Sequence, residues 1–447
     1  MISAFERTYM EMIRHVTIEN MLTARDERAQ NQNMLREKHC VPIVSFTLNI
    51  PGSIKCNELI KKAFRVGKSR VLLAFEKLQA EVLECIENEN FTGCECIWAV
   101  RTNAEQLKHL LCLMEEQDDI GRLFDMDVID AQGNHLSRNE ERSCLICGKP
   151  VRACARSRAH SAEELFSKTQ DIIRIYFERK FAEKAGETAQ RALLYEAITT
   201  PKPGLVDCNN SGSHLDMNLF HFMESAALLG NYFEACTMLG ITNAGYEALQ
   251  LRGIQAERDM LQQLKVNTHK GAIFALGILC YAWGLCGEES SVECILKAAK
   301  KAGTYFLKQM ENCIDPKTGG EIQFKQYGIT GARGEAASGF ETVKKIALPA
   351  FIQAMHEGKS LNDSGICAMM ALMECVQDSN VIRRCGQEMQ RWMNNTAKEI
   401  NASQWDHALL KKLDKQFIDC NISPGGCADL LAVTYFLYFV NAYIENE

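Results

Sequence analysis

The stretch TPKPGLVDCNNSGSHLDMNLFHFMES, from Thr200 to Ser225, combines residues that restrict the backbone with many polar side chains. Pro201 and Pro203 hold the chain extended and disfavour helical backbone angles at the residues before them. Two glycines and two adjacent asparagines favour turns. Asp216 comes directly before an apolar helical pattern, so it is predicted to be a helix N-cap. The stretch therefore predicts a rigid polar loop that leads into a helix N-terminus, a place where anions bind.

The overall composition is that of a globular protein with more than one domain. The chain has 447 residues, 47% of them hydrophobic and 24% charged, which is more than one ordinary core accommodates. The net charge of −7 gives no reason to expect nucleic-acid binding. A phosphate-binding site would therefore have to be a local basic pocket in an acidic protein.

Cysteine content and apolar runs predict a cytoplasmic protein that does not span a membrane. Twenty cysteines without an export signal are typical of a reducing compartment. The uncharged runs 271–286 and 430–440 are shorter than the roughly 20 residues of a spanning helix, so both are predicted to be buried helices.

The two halves of the chain differ in their hydrophobic periodicity, and no proline- or serine-rich linker separates them. From residue 188 onward the apolar spacing is helical almost throughout. We predict an α+β domain over residues 1–178 and an all-α domain over residues 179–447. The elements predicted for the first half are a helix over 8–40, a strand Ile43–Ile50, a helix Glu58–Glu87, a strand Glu95–Arg101, a helix Glu105–Glu116 and a strand Gly121–Asp130.

Two aspartates on the last of these strands predict a magnesium site. Asp125 and Asp127 are two residues apart, so their side chains share one face of a strand. Adjacent carboxylates repel each other unless a cation lies between them, and oxygen ligands suit Mg²⁺. The alternative is that Arg122 neutralises the pair.

A cysteine cluster follows the strand and predicts a zinc site. Cys144, Cys147, Cys154 and His160 have a spacing suited to three thiolates and one imidazole. The alternative is a chance cluster, because cysteine is common throughout this chain. Arginines interleaved with the cluster are suited to bidentate phosphate binding.

The second half resembles the triphosphoribosyl-dephospho-coenzyme A synthases over roughly residues 183–447. The resemblance rests on the motifs at 203–207, 212–217, 269–272, 331–335 and 423–426. It implies that a ribose hydroxyl of 3′-dephospho-coenzyme A attacks the anomeric carbon of ATP and that adenine leaves. Such a reaction needs a base, an acid and a triphosphate clamp, and we leave acid against base open. The resemblance implies catalytic roles for Asp207, His214, Asp216, His269 and Glu335, and substrate binding by Lys202, Lys270, Arg333, Gly334, Arg384, Gly425 and Gly426.

The first half resembles the transferase that modifies apo-citrate lyase, over about residues 15–175. The motifs are those at 25–28, 49–52, 121–128 and the cysteine segment 144–160. The resemblance implies transfer of phosphoribosyl-dephospho-coenzyme A to a serine of the apo acyl carrier protein, the gamma subunit of citrate lyase, with release of pyrophosphate. Asp125 and Asp127 would then hold Mg²⁺, and the phosphates would be bound by Arg25, Arg28, Lys55 and Arg122.

Three other interpretations remain open at this point. The same chemistry could serve malonate decarboxylase, which the resemblance of the first half argues against. The chain could instead be a nucleotide-binding regulator with a small zinc module, which would bind ATP without consuming it. Nucleic-acid contact by the basic cysteine segment is the weakest interpretation, because the chain is acidic and the segment lacks interleaved aromatic residues.

Overall fold

The computed structural model describes residues 14–138, 141–316, 318–403 and 405–446. The chain divides into two compact units whose boundary lies between Phe177 and Glu178. The first unit contains an antiparallel sheet with helices, and the second is nearly all helical, so the predicted fold class is confirmed.

The described part of the N-terminal unit contains a five-stranded antiparallel sheet in the order β2-β3-β1-β4-β5. Its elements are α1 (Ile18–His39), β1 (Ile43–Leu48), α2 (Glu58–Lys77), β2 (Glu81–Asn90), β3 (Gly93–Arg101), α3 (Ala104–Glu116), β4 (Phe124–Ile129), β5 (His135–Leu136) and α4 (Val151–Ser157). Phe46 on the central strand β1 stacks on Phe64 of α2, with ring centroids 4.9 Å apart. Burying each ring contributes about 1.5–3 kcal/mol, which fixes the helix on the sheet.

Three predicted elements of this unit need correction. The helix predicted to continue to Glu87 ends at Lys77, and the following residues form β2. Gln79 adopts a left-handed conformation (φ 49°) that reverses the chain, and the backbone of β2 pairs with β3. Pairing therefore outweighs the helix preference of its glutamates and leucine. The last predicted strand begins at Phe124, after one turn of 3₁₀ helix. The helix predicted over 8–40 begins at Ile18 in the described chain, and residues 8–13 of that prediction lie outside the described residues.

The C-terminal unit is built from helices, the first of which begins in the other unit. They are α5 (Ala162–Ile198), α6 (Leu219–Ile241), α7 (Tyr246–Leu264), α8 (Lys270–Cys286), α9 (Val292–Glu311), α10 (Gly319–Tyr327), α11 (Gly331–Ser338), α12 (Leu348–His356), α13 (Leu361–Cys375), α14 (Ser379–Asn401), α15 (His407–Asp419) and α16 (Gly425–Asn446). A π-helical turn, Val343–Ala347, precedes α12.

Helix α8 lies at the centre of this unit, where it packs against α6, α7, α9 and α16. Its residues are apolar on every side, as the uncharged run predicts. A Cβ atom on Gly240 of α6 would lie 2.1 Å from the carbonyl oxygen of Tyr281. Glycine at this point therefore lets the two helices approach each other closely.

Helix α16 is longer than the uncharged run 430–440 that predicted it. Its segment Gly425–Ile444 is long and apolar enough to cross a membrane by length and composition alone. Of its most apolar window, 61% is buried inside the unit, which is the pattern of a core helix.

Candidate active sites

The stretch that follows α5 folds into the rigid polar loop that its sequence predicts. The Asp207 carboxylate accepts hydrogen bonds from the backbone amides of Lys202 (2.9 Å), Asn209 (2.7 Å) and Asn210 (3.1 Å). Asp414 of α15 accepts a further one from the Gly204 amide at 2.8 Å. Asp207 is buried and does not line the cavity beside the loop, so its carboxylate shapes the backbone.

The N-cap predicted at Asp216 is wrong. Helix α6 begins two residues later, where the Asn218 side chain accepts from the amides of Phe220 and His221 and His221 closes a capping box. Asp216 stays exposed, with its carboxylate 3.8 Å from Nδ1 of His214. The carboxylate is therefore available to the cavity that it lines.

A cavity of about 1240 Å³ lies beside this loop and the N-terminal ends of α8, α11, α14 and α16. Ligand pockets commonly measure roughly 300–1,000 Å³, so this one has room for a large ligand or two smaller ones. Eleven of the twelve site residues predicted for this half line it, namely Lys202, His214, Asp216, His269, Lys270, Arg333, Gly334, Glu335, Arg384, Gly425 and Gly426.

Two histidines of the cavity are held in their neutral form. Nδ1 of His269 lies 2.8 Å from Oγ of Ser225, and its buried Nε2 has no hydrogen-bond partner. Burial, and then the charge of Lys202, lowers the pKa of His269 to about 3. Burial and Arg384 also lower the pKa of His214, whose Nε2 lies 2.7 Å from Oγ of Ser423. Neutral imidazoles can accept a proton, but they do not supply one readily.

The pKa of Glu335, on α11, is shifted upward, in contrast to those of the two histidines. Burial raises the pKa of its carboxyl group, and Oε1 accepts a hydrogen bond from Thr342 at 2.6 Å. The other oxygen, Oε2, is buried without a partner. This unsatisfied oxygen marks a place for a ligand group, because a buried polar atom without a partner is costly.

The four cations predicted to bind phosphates already contact acceptors within the protein. The contacts are Lys202 with Glu196 at 2.5 Å, Lys270 with Glu257 at 2.8 Å, Arg333 with Glu321 at 3.3 Å, and Arg384 with the Asn421 carbonyl at 3.1 Å. A triphosphate would therefore bind by sharing or replacing these partners. Arg383, exposed on α14 and lining the cavity, is a further cation that the motifs did not indicate.

Five carboxylates of the cavity were missed in the sequence: Glu196, Glu257, Glu321, Asp378 and Asp429. They lie outside the quoted motifs, and Asp429 alone has a signal, since it follows the double glycine by three residues. Asp378 accepts from the amides of Gly426 and Cys427, the latter at 2.9 Å. The phosphate-cradling amides expected at Gly425 and Gly426 are therefore partly occupied.

The basic residues predicted in the N-terminal unit lie on a more open surface. Arg25 and Lys55 line a cavity of about 300 Å³ beside Gly52, and Lys55 donates to the Ile50 carbonyl. Partial burial, and then Arg25, lowers the pKa of Lys55. Arg28 forms an ion pair with Glu95 at 2.7 Å. Arg25 and Lys55 thus come together as expected, whereas Arg28 has an internal partner.

Asp125 and Asp127 project from the same exposed face of β4, as predicted. Partial desolvation, and then the Asp127 charge, raises the pKa of Asp125. Asp127 lies 3.7 Å from Nζ of Lys108, and Arg122 instead donates to the Ser143 carbonyl at 2.9 Å. The two carboxylates are therefore not neutralised by Arg122.

The sequence motifs did not reveal a buried charge cluster close to these aspartates. Glu115 contacts Arg138 and Arg142, and it accepts from the amide of Met126 at 2.8 Å. The same two arginines act electrostatically on Asp125.

The cysteine cluster forms a compact set of potential metal ligands. Cys144, Cys147, Cys154 and His160 place one ligand atom each within 4.8 Å of one another. Burial alone would raise the pKa of Cys144, but the amides of Cys147 and Ile146 lower it to about 7. Nε2 of His160 is buried without a partner. Among the described residues this is the one group of three or more His, Cys, Asp or Glu side chains that meets this spacing.

Comparison with known protein families gives the class of this chain. The CitG family model, ATP:dephospho-CoA triphosphoribosyl transferase, matches residues 182–447. The CitX model, apo-citrate lyase phosphoribosyl-dephospho-CoA transferase, matches residues 16–176. The chain is therefore a transferase with two different catalytic domains, and both predicted resemblances are confirmed.

Two relatives share this arrangement over nearly their whole length, and a third matches the C-terminal part of the chain alone. Protein CitXG of Haemophilus influenzae is 34% identical over 94% of this chain and 96% of its own. Protein CitXG of Leuconostoc mesenteroides is 30% identical over 96% of this chain and 98% of its own. A 2-(5''-triphosphoribosyl)-3'-dephosphocoenzyme-A synthase of Pectobacterium atrosepticum is 37% identical over 60% of this chain and 93% of its own. The chain belongs to the CitX family in its first half and to the CitG family in its second half, and is a bifunctional enzyme of the CitXG type.

Proposed function

We propose that residues 179–447 make 2′-(5″-triphosphoribosyl)-3′-dephospho-coenzyme A from ATP and 3′-dephospho-coenzyme A, and that residues 1–178 transfer its phosphoribosyl-dephospho-coenzyme A part. The acceptor is a serine of the apo acyl carrier protein of citrate lyase. The observation that carries this proposal is the convergence of eleven predicted site residues on one cavity, in the half that matches the synthase family.

In the synthase reaction, the neutral imidazole of His214 is suited to take the proton of the attacking hydroxyl, whereas a pKa of about 3 makes His269 a weak base. His214 is anchored by Ser423 and His269 by Ser225, which holds each ring in one orientation. Asp216 lies within electrostatic reach of His214 and would stabilise the imidazolium that forms. Asp207 shapes the loop and is proposed to act without touching the substrates.

The triphosphate of ATP would be held by the cationic edge of the cavity, formed by Lys270, Arg333, Arg383 and Arg384. Lys202 is buried and paired with Glu196, so it is proposed to tune the charge of the site. Its predicted direct role in substrate binding is less suited to this position.

In the transferase domain, Asp125 and Asp127 would hold Mg²⁺ together with the phosphates of the incoming substrate. Two exposed carboxylates fit this ion, which is often bound by one or two carboxylates plus phosphate oxygens and water. Bound there, Mg²⁺ would neutralise the departing pyrophosphate. Arg25, Lys55 and Arg122 would orient the remaining phosphates, with Arg28 released from Glu95 or acting through it.

The cysteine cluster is proposed to bind a structural zinc ion. Three thiols and one unpartnered imidazole nitrogen fit a closed tetrahedral site, in which all four ligands come from the protein. The twenty cysteines are all free, which supports a reducing cytoplasmic location.

The first experiment measures adenine release from ATP and magnesium by the purified protein, with and without 3′-dephospho-coenzyme A. Release only in the presence of both substrates is expected. The mass of apo acyl carrier protein should then rise when it is added. Intact ATP under all conditions would refute the synthase assignment and favour the nucleotide-binding regulator. Modification of the malonate decarboxylase carrier, and not of the citrate lyase carrier, would correct the partner.

The zinc proposal is tested by metal analysis of the full chain. We expect one zinc per chain in the native protein and its loss in Cys144→Ser and Cys154→Ser. Cys40→Ser, at an exposed cysteine outside the cluster, is the matched control and should retain the metal. Metal-free native protein with unchanged transfer activity would contradict the proposal.

A further inference from the structure

Asp429, the fifth residue of α16, lies against the N-terminal end of α8. A Cβ atom on Gly271 would lie 1.9 Å from Oδ2 of Asp429, so this carboxyl group rests directly against the α8 backbone. The amide of Ala272 interacts with it there. Asp429 also lines the cavity, as do the motif residues His269 and Lys270 on the same end of α8.

The electrostatic surroundings of Asp429 favour its protonated form. Burial, and then the Glu196 and Asp378 carboxylates, raises its pKa well above the usual range, while the Ala272 amide opposes the change. Glu196 has Lys202 as a partner, and Asp378 has several backbone amides. Lys270 is paired with Glu257, and within the described chain the groups that act on Asp429 include no cation.

A second observation marks this place as a ligand site. Nε2 of His269 is buried, lines the same cavity and has no hydrogen-bond partner. His269 has 2% of its surface exposed. A polar group left unsatisfied in this way is costly unless a ligand completes it, so the carboxyl cluster and the imidazole bound a space that a polar substrate group fills.

The synthase reaction requires a proton donor that neither cavity histidine provides. Adenine is a poor leaving group as an anion, and protonation of a ring nitrogen lets it depart as a neutral base. Both histidines are neutral at neutral pH, so the donor is expected among the carboxyl groups whose protonated form burial favours.

Building on the proposed synthase function, we propose that Asp429 is the catalytic acid that protonates adenine. The bond between C1′ of the ATP ribose and N9 breaks, and its electron pair stays with adenine. The Asp429 proton moves to a ring nitrogen of the base, N3 or N7. The bond between C1′ and the attacking hydroxyl oxygen forms. The hydroxyl proton passes to the imidazole that acts as general base, so protons and charge balance. Gly271 is the positioning residue, because it gives the carboxyl group room.

The test compares ATP with 7-methyl-ATP, whose adenine already carries the positive charge that protonation creates. Asp429→Asn should release adenine from ATP about 10²–10⁴-fold more slowly than the native enzyme, with dephospho-coenzyme A present. With 7-methyl-ATP, after subtraction of spontaneous release, the variant should approach the native rate. Gly271→Ala should show the same pattern in weaker form, because its Cβ displaces the carboxyl group.

Controls separate this proposal from misfolding and from failure of the proposed function. Asp419→Asn, an exposed aspartate outside the cavity, should behave as the native enzyme with both nucleotides. Carrier modification from supplied intermediate should be unchanged in Asp429→Asn. If Asp429→Asn releases adenine equally slowly from ATP and from 7-methyl-ATP while the native enzyme is active, the acid role is overturned. If instead the variant needs more magnesium and keeps its maximal rate, Asp429 is a metal ligand. If the native enzyme itself releases no adenine, the proposed synthase function is refuted.

Discussion

The two units present their reactive groups in contrasting ways. In the C-terminal unit, eleven predicted site residues line a cavity of about 1240 Å³. In the N-terminal unit, Asp125 and Asp127 project from an exposed strand face, and Arg25 and Lys55 flank a cavity of about 300 Å³. One site is enclosed by helices, and the other is an open surface.

The difference follows from what each reaction must admit. The synthase joins two small molecules, and an activated ribose must be kept from water, so an enclosed site is an advantage. The transferase must receive a serine of another protein, so its reacting groups have to lie where a folded partner can reach them. Burial is the first cause of the shifted pKa values in both sites, and in the open site the charges of Arg25 and Asp127 add to the shifts of Lys55 and Asp125.

The largest effect should come from breaking the buried ion pair of the enclosed site. Lys202→Met leaves Glu196 buried without a partner and should destabilise the C-terminal unit by about 3–5 kcal/mol. Hydrogen exchange of α5 and α8 measures this loss. Lys345→Met, which removes an exposed pair with Glu341, is the control and should cost less than about 1 kcal/mol. Glu196→Gln removes the buried negative charge that Lys202→Met leaves unpaired, so the double variant should recover most of the stability. Equal losses in Lys202→Met and in the double variant would refute the unpaired charge as the cause.

Glu335→Gln should separate activity from stability. The synthase rate should fall by about 10²–10³-fold, while carrier modification from supplied intermediate is unchanged. Burial raises the folded pKa of Glu335 above its usual 4.5, so the folded state binds the proton more tightly and stability falls as pH rises above 4.5. The variant should therefore be at least as stable as the native protein at mildly alkaline pH. Glu357→Gln, at an exposed position, should change neither the synthase rate nor the stability. A loss of stability in Glu335→Gln without loss of rate would contradict the catalytic role predicted for Glu335.

Acid should weaken the enclosed unit through His269. Its folded pKa of about 3 lies below the usual 6.5, so the unfolded state binds more protons between these values. Stability is complete above pH 6.5 and falls as pH decreases, by about 1.4 kcal/mol per unit and so by about 2 kcal/mol near pH 5. Urea unfolding of native protein and of His269→Gln at several pH values measures the slope. A native slope that persists in the variant would assign the effect to other groups.

The smallest stability effect is expected on the open surface. Asp127→Asn removes a contact of 3.7 Å between Lys108 and an aspartate whose side chain is 54% exposed. It should cost less than about 1 kcal/mol, yet transfer to the carrier should require more magnesium. Asp119→Asn, an exposed aspartate away from the strand, serves as the control for the magnesium titration. Unchanged magnesium dependence in Asp127→Asn would remove the metal assignment.

Motifs that combine glycine, proline and charged residues made it possible to name residues that line the cavity of the C-terminal unit. The loop from Thr200 and the segments at His269, Glu335 and Gly425 each set a backbone conformation locally, and the fold brings them together at one cavity. The fold class was predictable for a similar reason, because apolar spacing is a local property of the chain.

Long-range pairing limited the prediction elsewhere. Strand β2 looks helical by its own residues, and its partner β3 decides its structure. Asp378 and Asp429 were missed because an isolated aspartate has no pattern until distant segments surround it. Asp207 was singled out by its motif, but the sequence did not reveal that its carboxylate accepts hydrogen bonds from three backbone amides.

Helix α5 has a practical consequence for separating the two enzymes. Its residues Ile172 and Ile173 belong to the core of the N-terminal unit, while Phe181 and Ala185 belong to the core of the C-terminal unit. A cut at the start of the helix would strip one unit, and a cut at its end would strip the other. Two separately expressed fragments should therefore be most soluble when the chain is divided between Phe177 and Phe181, because each fragment then keeps the part of α5 that belongs to its own core.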